Sequence, residues 1–382
     1  MLKYNLEKRM ANWQKNNLMR QRHVMGNRRY GDNRLPIADK DYLNFASYDY
    51  LGLIQHPVIN NAMINGIKQY GIGSGASAMV AGYFNEHDSI EREFAKWLGF
   101  DKAILFNSGY SANLGVMTAL LSRDDTVISD KLCHASLLDG IQLSRAKHYR
   151  YQHNDVTHLQ KIAAKANPDM IVSESVFSMQ GDIAPIADLV AVAEKYQAGL
   201  VIDDAHGIGL LGCDGRGTSQ YQSKLLCVVM SLGKAFNAMG AMVAGNGEII
   251  ESILQFSRSY TYSTALPPAL CGALRAALKI IQEETWRLQA LNENIAFFNA
   301  EARARKLPLV SIDKTPIRAI IIGDNQKTVW LQEQLLKQGV YVAAIRTPTV
   351  PKNSARLRIS LNGLHTKAEM IFLLDKIVEY YL

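Results

Sequence analysis

Residues 200–234 read LVIDDAHGIGLLGCDGRGTSQYQSKLLCVVMSLGK, and each of the two apolar runs in this stretch ends in polar residues. Asp203 and His206 follow the first run, Ser231 and Lys234 the second. Short runs this rich in β-branched residues suit buried strands better than helices. Working outward, AILFN, TVISD, HYRYQ and MIVSES precede the stretch and AMVAG follows it, alternating with helical segments from about Lys102 to Gly247. That alternation predicts an α/β fold with a largely parallel sheet covered by helices on both faces. Ligands of such sheets bind at the carboxyl ends of the strands, so the polar residues after each run are the candidate site.

Pro267 and Pro268 open ALCGALRAALKIIQEETWRLQAL, which reads as one long helix carrying the chain out of the first domain. The expected division is an N-terminal arm over 1–45, a large domain over 46–285 and a small C-terminal α/β domain over 286–382. In the last, RAIIIGD, VYVAAIR and ARLRISL read as strands, and TVWLQEQLLKQG and KAEMIFLLDKIVEYYL as helices. Leu6, Met10 and Trp13 recur at helical spacing, so the arm reads as an amphipathic helix.

With 382 residues, 48% of them apolar and 20% charged, the chain has enough material for two packed cores. The excess of 42 basic over 35 acidic residues is mild, and apart from Arg20, Arg22, Arg28, Arg29 and Arg34 the basic residues are scattered. Without a nucleic-acid module, that bias points to a catalyst for anionic metabolites. Cys133, Cys213, Cys227 and Cys271 form no CxxC pair, which argues against a zinc site and a disulfide framework and for reduced thiols in the cytoplasm. Charges interrupt the first residues every few positions, against a secretory segment, and no apolar run reaches membrane-spanning length.

Two stretches imitate dinucleotide-binding motifs. Gly71-Ile72-Gly73-Ser74-Gly75-Ala76 follows a helical run rather than a strand. Gly207-Ile208-Gly209-Leu210-Leu211-Gly212 follows a strand, but the turn-rich CDGRG after it does not start the helix that a pyrophosphate needs. Asp203, Asp204 and His206 are of metal-ligating types, but no further cluster supports a metal, and none is expected.

A lysine just beyond a buried β-run is unusual, because lysine is seldom buried unless paired or reacted. A covalent link from Lys234 to pyridoxal phosphate (PLP) resolves the conflict, and desolvation lowers the amine's pKa as that chemistry requires. Asp203 then serves as the hydrogen-bond acceptor of the protonated pyridine nitrogen, and His206 reaches the phenolic oxygen. His134, after TVISD, lies against the ring face; a satisfied buried histidine is the lesser alternative from the sequence. Asn107-Ser108-Gly109-Tyr110 opens a helix after AILF, so backbone N–H groups near Gly109 and Tyr110 point at a phosphate, with the Ser231 hydroxyl adding a bond. Simple helix capping by Ser108 explains the same residues.

These residues in this order resemble the α-oxoamine synthase family of fold-type I PLP enzymes, and the likeness runs nearly to Leu382. The matching segments are NFASYDYLGL (44–53), GIGSGAS (71–77), FNSGYSAN (106–113), HASLLDG (134–140), HNDVTHL (153–159), SESVFSMQGDIAPI (173–186), DDAHGIGLLG (203–212), SLGKAF (231–236), YSTALPP (262–268), AIRTPTVP (344–351) and ARLRISL (355–361). The resemblance implies an aspartate-aminotransferase-like transferase fold, with a mostly parallel seven-stranded sheet in the large domain and a smaller C-terminal α/β domain. It also implies a homodimer with shared active sites.

By the same resemblance Lys234, His134, Asp203 and His206 are catalytic, and Glu174 and Ser178 join the cofactor site. Tyr262, Ser263 and Thr264 reach the phosphate of the neighbouring subunit. Arg346 holds the amino-acid carboxylate, and Arg20, Tyr48, Ser77 and Arg358 lie near the substrate. AIRTPTVP, ARLR and HNDVTHL are most similar to the branch that condenses L-alanine with a pimeloyl thioester of CoA or carrier protein, a step of biotin synthesis. The alternatives are another acyltransferase of the family, making 5-aminolevulinate, 2-amino-3-ketobutyrate, a sphingoid base or an amino-ketone signal, and a non-catalytic PLP-binding sensor. Three departures bear on acyl-chain choice: Tyr48 replaces a usual asparagine, Ala76 and Ala78 replace glycine-rich or basic positions, and Asn237 stands where glycine is common.

Overall fold

The computed structural model describes residues 2–381. Its contacts group the chain into two compact units, a large one of Gln55–Ser178 and Ile183–Leu288, and a small one of Met1–Ile54, Met179–Asp182 and Gln289–Leu382.

The large unit is built on seven strands: β1 (Lys102–Phe106), β2 (Thr126–Asp130), β3 (Lys147–Tyr151), β4 (Met170–Glu174), β5 (Gly199–Asp203), β6 (Cys227–Ser231) and β7 (Ala241–Gly245). Their order across the sheet is β1-β7-β6-β5-β4-β2-β3. Pairing is parallel from β6 through β3. β7 alone is reversed, antiparallel to β1 on one side and β6 on the other. Parallel pairing needs crossovers, and helices Gly109–Leu120, Ala135–Ser144, Val156–Ala166 and Ile186–Tyr196 follow β1, β2, β3 and β4.

The central strands are apolar on both faces because helices cover both. Val127, Val172, Val201, Val229 and Val243 share one core with Phe106, Val116, Met117, Leu137 and Ile141. Each such side chain contributes about 2 kcal/mol on burial. At the sheet edge the pattern changes: in β3 only Tyr151 is buried, while Lys147, His148, Tyr149 and Arg150 are exposed. Charges there discourage pairing with another chain. β6 and β7 are joined by a hairpin over 232–240, closed by bonds from Leu232 N to Gly240 O and from Ala238 N to Leu232 O, both 3.0 Å.

The expected long helix after the double proline is two helices. Pro268–Glu283 ends at Glu284, and Trp286–Ala304 begins two residues later. The Glu284 carboxylate bonds the Nε of Arg287, which is 2% exposed, at 2.7 Å. The break falls in the polar run Gln282-Glu283-Glu284-Thr285, which holds no glycine or proline to mark a turn.

In the small unit, Arg34–Ile37 pairs antiparallel with Lys40–Asn44, which in turn pairs parallel with Val340–Tyr341. A second sheet places Ala355–Ser360 between Ile317–Gly323 and Ala343–Ile345. VYVAAIR, expected as one strand, is therefore split between two sheets at Val342. Helices Asn325–Lys337 and Lys367–Tyr381 complete the unit; Leu382, the last residue of the expected C-terminal helix, lies outside the described residues. The arm forms helix Leu2–Lys15 as its periodicity predicts, but no residue of that helix is buried.

Candidate active site

The polar residues expected at strand ends gather at the carboxyl edge of the large unit's sheet. Asp203 ends β5 and is in register with Glu174, the last residue of β4. Asp203 is 5% exposed, and both its oxygens are engaged: Oδ2 accepts Asn113 Nδ2 at 2.6 Å and Oδ1 accepts Ala205 N at 3.0 Å. Glu174 is buried, and burial, reinforced by the neighbouring Asp203 charge, pushes its carboxyl well above the usual carboxylate range. Backbone N–H groups of His134 and Ser178 and the charge of Lys234 oppose that shift, so these three residues lie close to Glu174. Glu174 Oε1 is buried with no hydrogen-bond partner.

Helix Gly109–Leu120 starts directly after β1. Ser108 caps it by accepting Ser111 N at 3.1 Å, so the capping reading of Ser108 holds. The hydroxyl is thus occupied, and the N–H groups of the first turn remain the anion-attracting feature. Gly109 faces Ser231 at the end of β6: a Cβ on Gly109 would sit 3.7 Å from Ser231 Oγ. Tyr110, at the same helix start, bonds Asp139 through its hydroxyl and stands edge-on to His134. His134 caps the next helix, Ala135–Ser144. Partial burial lowers its pKa first; Asp203 opposes the shift and Lys234 adds to it.

Lys234 is half-buried in the hairpin between β6 and β7. Its carbonyl accepts Asn237 N at 2.8 Å, and Asn237 has φ +49°. That left-handed conformation accounts for glycine being common at this position, and asparagine is among the residues that tolerate it best. His206 is buried in the turn after β5. The glycine-rich stretch behind it runs into 3₁₀ turns, Cys213–Gly215 and Gly217–Lys224, while Gly71 follows helix Pro57–Tyr70. Neither glycine motif therefore leads from a strand into a helix. Among the described residues no group of three or more His, Cys, Asp or Glu side chains is placed to hold a metal ion.

Ser77 pairs as an isolated bridge with Thr264, and Thr264 O accepts Asn107 Nδ2 at 2.8 Å. Ser263 lies in the same segment, and Tyr262 is 72% exposed beneath Arg258. In the small unit, Arg346 donates to Asn17 O at 2.6 Å and to Met19 O at 3.1 Å, and Arg20 donates to Thr349 Oγ1 at 3.0 Å. Burial, then the charge of Arg20, lowers the Arg346 pKa. Arg358 is buried with its guanidinium 4.8 Å from the Tyr48 ring centre, so the unusual tyrosine at 48 covers an arginine.

Three residues carry more of the geometry than the sequence indicates. Asn113 and Ser136 bond each other behind Asp203 and His134. Asp204 accepts Ser175 Oγ, Thr218 N and Thr218 Oγ1, and Gly207 and Gly217 pack against it so closely that a Cβ on either would meet an Asp204 oxygen at 1.9 Å. A polar residue inside the apolar helical run GYSANLGVMTAL was the available signal for Asn113.

These donors fit PLP. The helix start and Ser231 suit a phosphate, Asp203 a protonated ring nitrogen, Lys234 a covalent anchor, and the orphan Glu174 oxygen a buried polar partner.

The sequence profile described as aminotransferase class I and II matches residues 40–377. A relative named 8-amino-7-oxononanoate synthase from Nitrosococcus oceani is 43% identical over 90% of this chain and 93% of its own length. Another of that name, from Hahella chejuensis, is 42% identical over 91% and 89%. Among solved structures, a serine palmitoyltransferase from S. paucimobilis with bound PLP-myriocin aldimine superposes with TM-score 0.93 at 28% identity, covering 100% of this chain and 98% of that one. An 8-amino-7-oxononanoate synthase from Francisella tularensis gives TM-score 0.79 at 35% identity, covering 88% and 97%. The chain belongs to the aminotransferase class I and II family and, within it, to the α-oxoamine synthases that include the 8-amino-7-oxononanoate synthases.

Proposed function

We propose that this chain joins L-alanine to a pimeloyl thioester, giving 8-amino-7-oxononanoate, carbon dioxide and the free thiol of CoA or a carrier protein. The observation that carries the reading is the gathering of Asp203, Glu174, Ser231 and Lys234 at the ends of β4, β5 and β6. When bound, PLP supplies an electron sink for the pair released at the alanine Cα. Asp203 keeps that sink strong by accepting a hydrogen bond from the pyridinium nitrogen. Lys234 Nζ would anchor the cofactor and, as a free amine, would accept the alanine Cα proton and return a proton to the product. His134 and His206 orient the ring, and the first turn of helix Gly109–Leu120 with Ser231 holds the phosphate.

Arg346 is proposed to bind the alanine carboxylate, with Arg20, Tyr48, Ser77 and Arg358 shaping the substrate site. Because two backbone carbonyls already engage Arg346, a second reading gives the carboxylate to Arg358. Comparing KM for alanine in Arg346→Ala and Arg358→Ala decides between them, since loss of the carboxylate's partner raises KM steeply.

The active form is proposed to be a cytoplasmic homodimer in which Tyr262, Ser263 and Thr264 serve the partner's phosphate. The exposure of Ile72 at 86% and Val80 at 81% in the large unit supports a covered surface there. Light scattering reads the mass directly. Incubating purified protein with alanine and a panel of acyl thioesters, and identifying the amino-ketone by mass spectrometry, tests the reaction. Turnover of palmitoyl or succinyl thioesters in preference to pimeloyl would overturn it.

A further inference from the structure

Asp203 and His134 come from different strand ends, yet a continuous chain of hydrogen bonds joins them. Asn113 Nδ2 donates to Asp203 Oδ2 at 2.6 Å and to Ser136 Oγ at 2.9 Å, and Ser136 Oγ lies 2.7 Å from His134 Nδ1. Asn113 is 1% exposed and Ser136 fully buried.

The direction of each bond follows from the inventory of donors. The second Asp203 oxygen already accepts Ala205 N, and an ionised carboxylate only accepts, so the side of the Asn113 amide facing it must be the NH2 group. One of its hydrogens serves Asp203 and the other serves Ser136 Oγ. The Ser136 hydroxyl, having accepted there, donates its own hydrogen to His134 Nδ1. The Ser136 backbone N–H points at the same nitrogen, at 3.3 Å. Two donors aimed at Nδ1 leave it no place for a proton, so the ring's hydrogen resides on Nε2.

This orientation leaves Asn113 Oδ1 buried with no hydrogen-bond partner. A buried amide oxygen left unpaired is unfavourable, so the arrangement is not one that maximises stability. It is the arrangement that the carboxylate and the imidazole together require.

We propose that Asn113 and Ser136 are positioning residues forming a one-way relay that fixes His134 as the neutral Nε2–H tautomer and aligns Asp203 at the same time. His134 then meets cofactor or acyl oxygen only as a hydrogen-bond donor. The inference rests on the proposed placement of His134 and Asp203 at the cofactor, but its test reads the protein's own nitrogens, so failure of the relay and failure of the proposed reaction are separately visible.

The experiment is ring ¹⁵N NMR of histidine-labelled holoenzyme across pH, with His134 assigned from His134→Gln. The charged groups facing the ring are Asp203 from β5, Lys234 from the hairpin and Asp139 from its own helix, and all three stay in place in the variants used. In the native protein Nε2 should carry the proton and Nδ1 none. Ser136→Ala should shrink that preference by roughly tenfold, the scale of one net hydrogen bond. Asn113→Ala should reduce it less, because the freed hydroxyl can still turn to Nδ1. The double variant should do no more than Ser136→Ala alone, as members of one chain are not additive. A proton on Nδ1 in the native protein overturns the relay without any variant; so does an unchanged tautomer ratio in Ser136→Ala, or additive losses in the double variant.

Discussion

Asp203 and Asp204 are adjacent carboxylates at the end of one strand, and they meet opposite environments. Asp203 accepts from Asn113 and from Ala205 N, beside Glu174 and the charge of Lys234. Asp204 instead meets hydroxyls and backbone of Ser175, Thr218, Gly207 and Gly217, with the Asp203 charge nearby. Burial pushes the Asp204 carboxyl up to about 7. One carboxylate thus joins the proposed site, and the other joins the loop that frames it. Residue type does not separate the two; the neighbours supplied by distant segments do.

The largest expected effect lies on the chemical side. Lys234→Ala should lower turnover by at least about 10³-fold and abolish borohydride fixation of the cofactor to peptide 234, because the anchoring amine and the proton carrier vanish together. Retained turnover would remove residue 234 from the chemistry. Asp203→Asn should follow, with kcat lower by about 10²-fold and the fold intact by circular dichroism. Equal losses in Asp203→Asn and Asp204→Asn would erase the contrast between the two carboxylates.

On the structural side, Gly217→Ala places a Cβ against Asp204 Oδ2 at a residue with φ +60°. It should destabilise the chain by about 2 to 4 kcal/mol in urea titrations. A stability within a few tenths of native would show that the loop relaxes freely around Asp204.

The last expected effect is a pH dependence, small within any one pH unit. The folded chain holds the Asp204 proton more tightly than the unfolded chain, where such a carboxyl titrates near about 4. Its stabilising contribution is therefore complete below about pH 4 and is lost as pH rises through about 7. Asp204→Asn cannot ionise, so it should gain on the native protein across that window, by at most about 1.4 kcal/mol per pH unit. A stability difference that stays flat from pH 4 to 8 would place the carboxyl's titration elsewhere.

The sheet was legible because Val127, Val172, Val201 and Val229 sit in runs that only a strand buried on both faces accommodates. Asp203 and Ser231 were legible as strand-end candidates for the same reason, whereas Glu174 entered through the family resemblance. Asn113 and Ser136 were not, although both lie in recognisable segments. Their meaning depends on Asp203, ninety positions downstream of Asn113, and no local pattern encodes that partner. The split of VYVAAIR has the same origin: Val340–Tyr341 and Ala343–Ile345 choose different partners, Leu43–Asn44 and Arg356–Arg358, hundreds or tens of residues away. The helix break at Glu284, which bonds Arg287, was hidden because no glycine or proline marks it.

The hairpin over 232–240 has a further consequence. Strands locked into the sheet hold both of its ends, and bonds such as Leu232 N to Gly240 O cinch its neck. Lys234, carried on a loop held this way, explores a small volume when it leaves the proposed covalent bond, so it stays within reach for return without any opening of the backbone. The bonded amides of Leu232, Asn237 and Ala238 should accordingly exchange with deuterium nearly as slowly as those of the flanking strands, whether or not Lys234 Nζ is engaged.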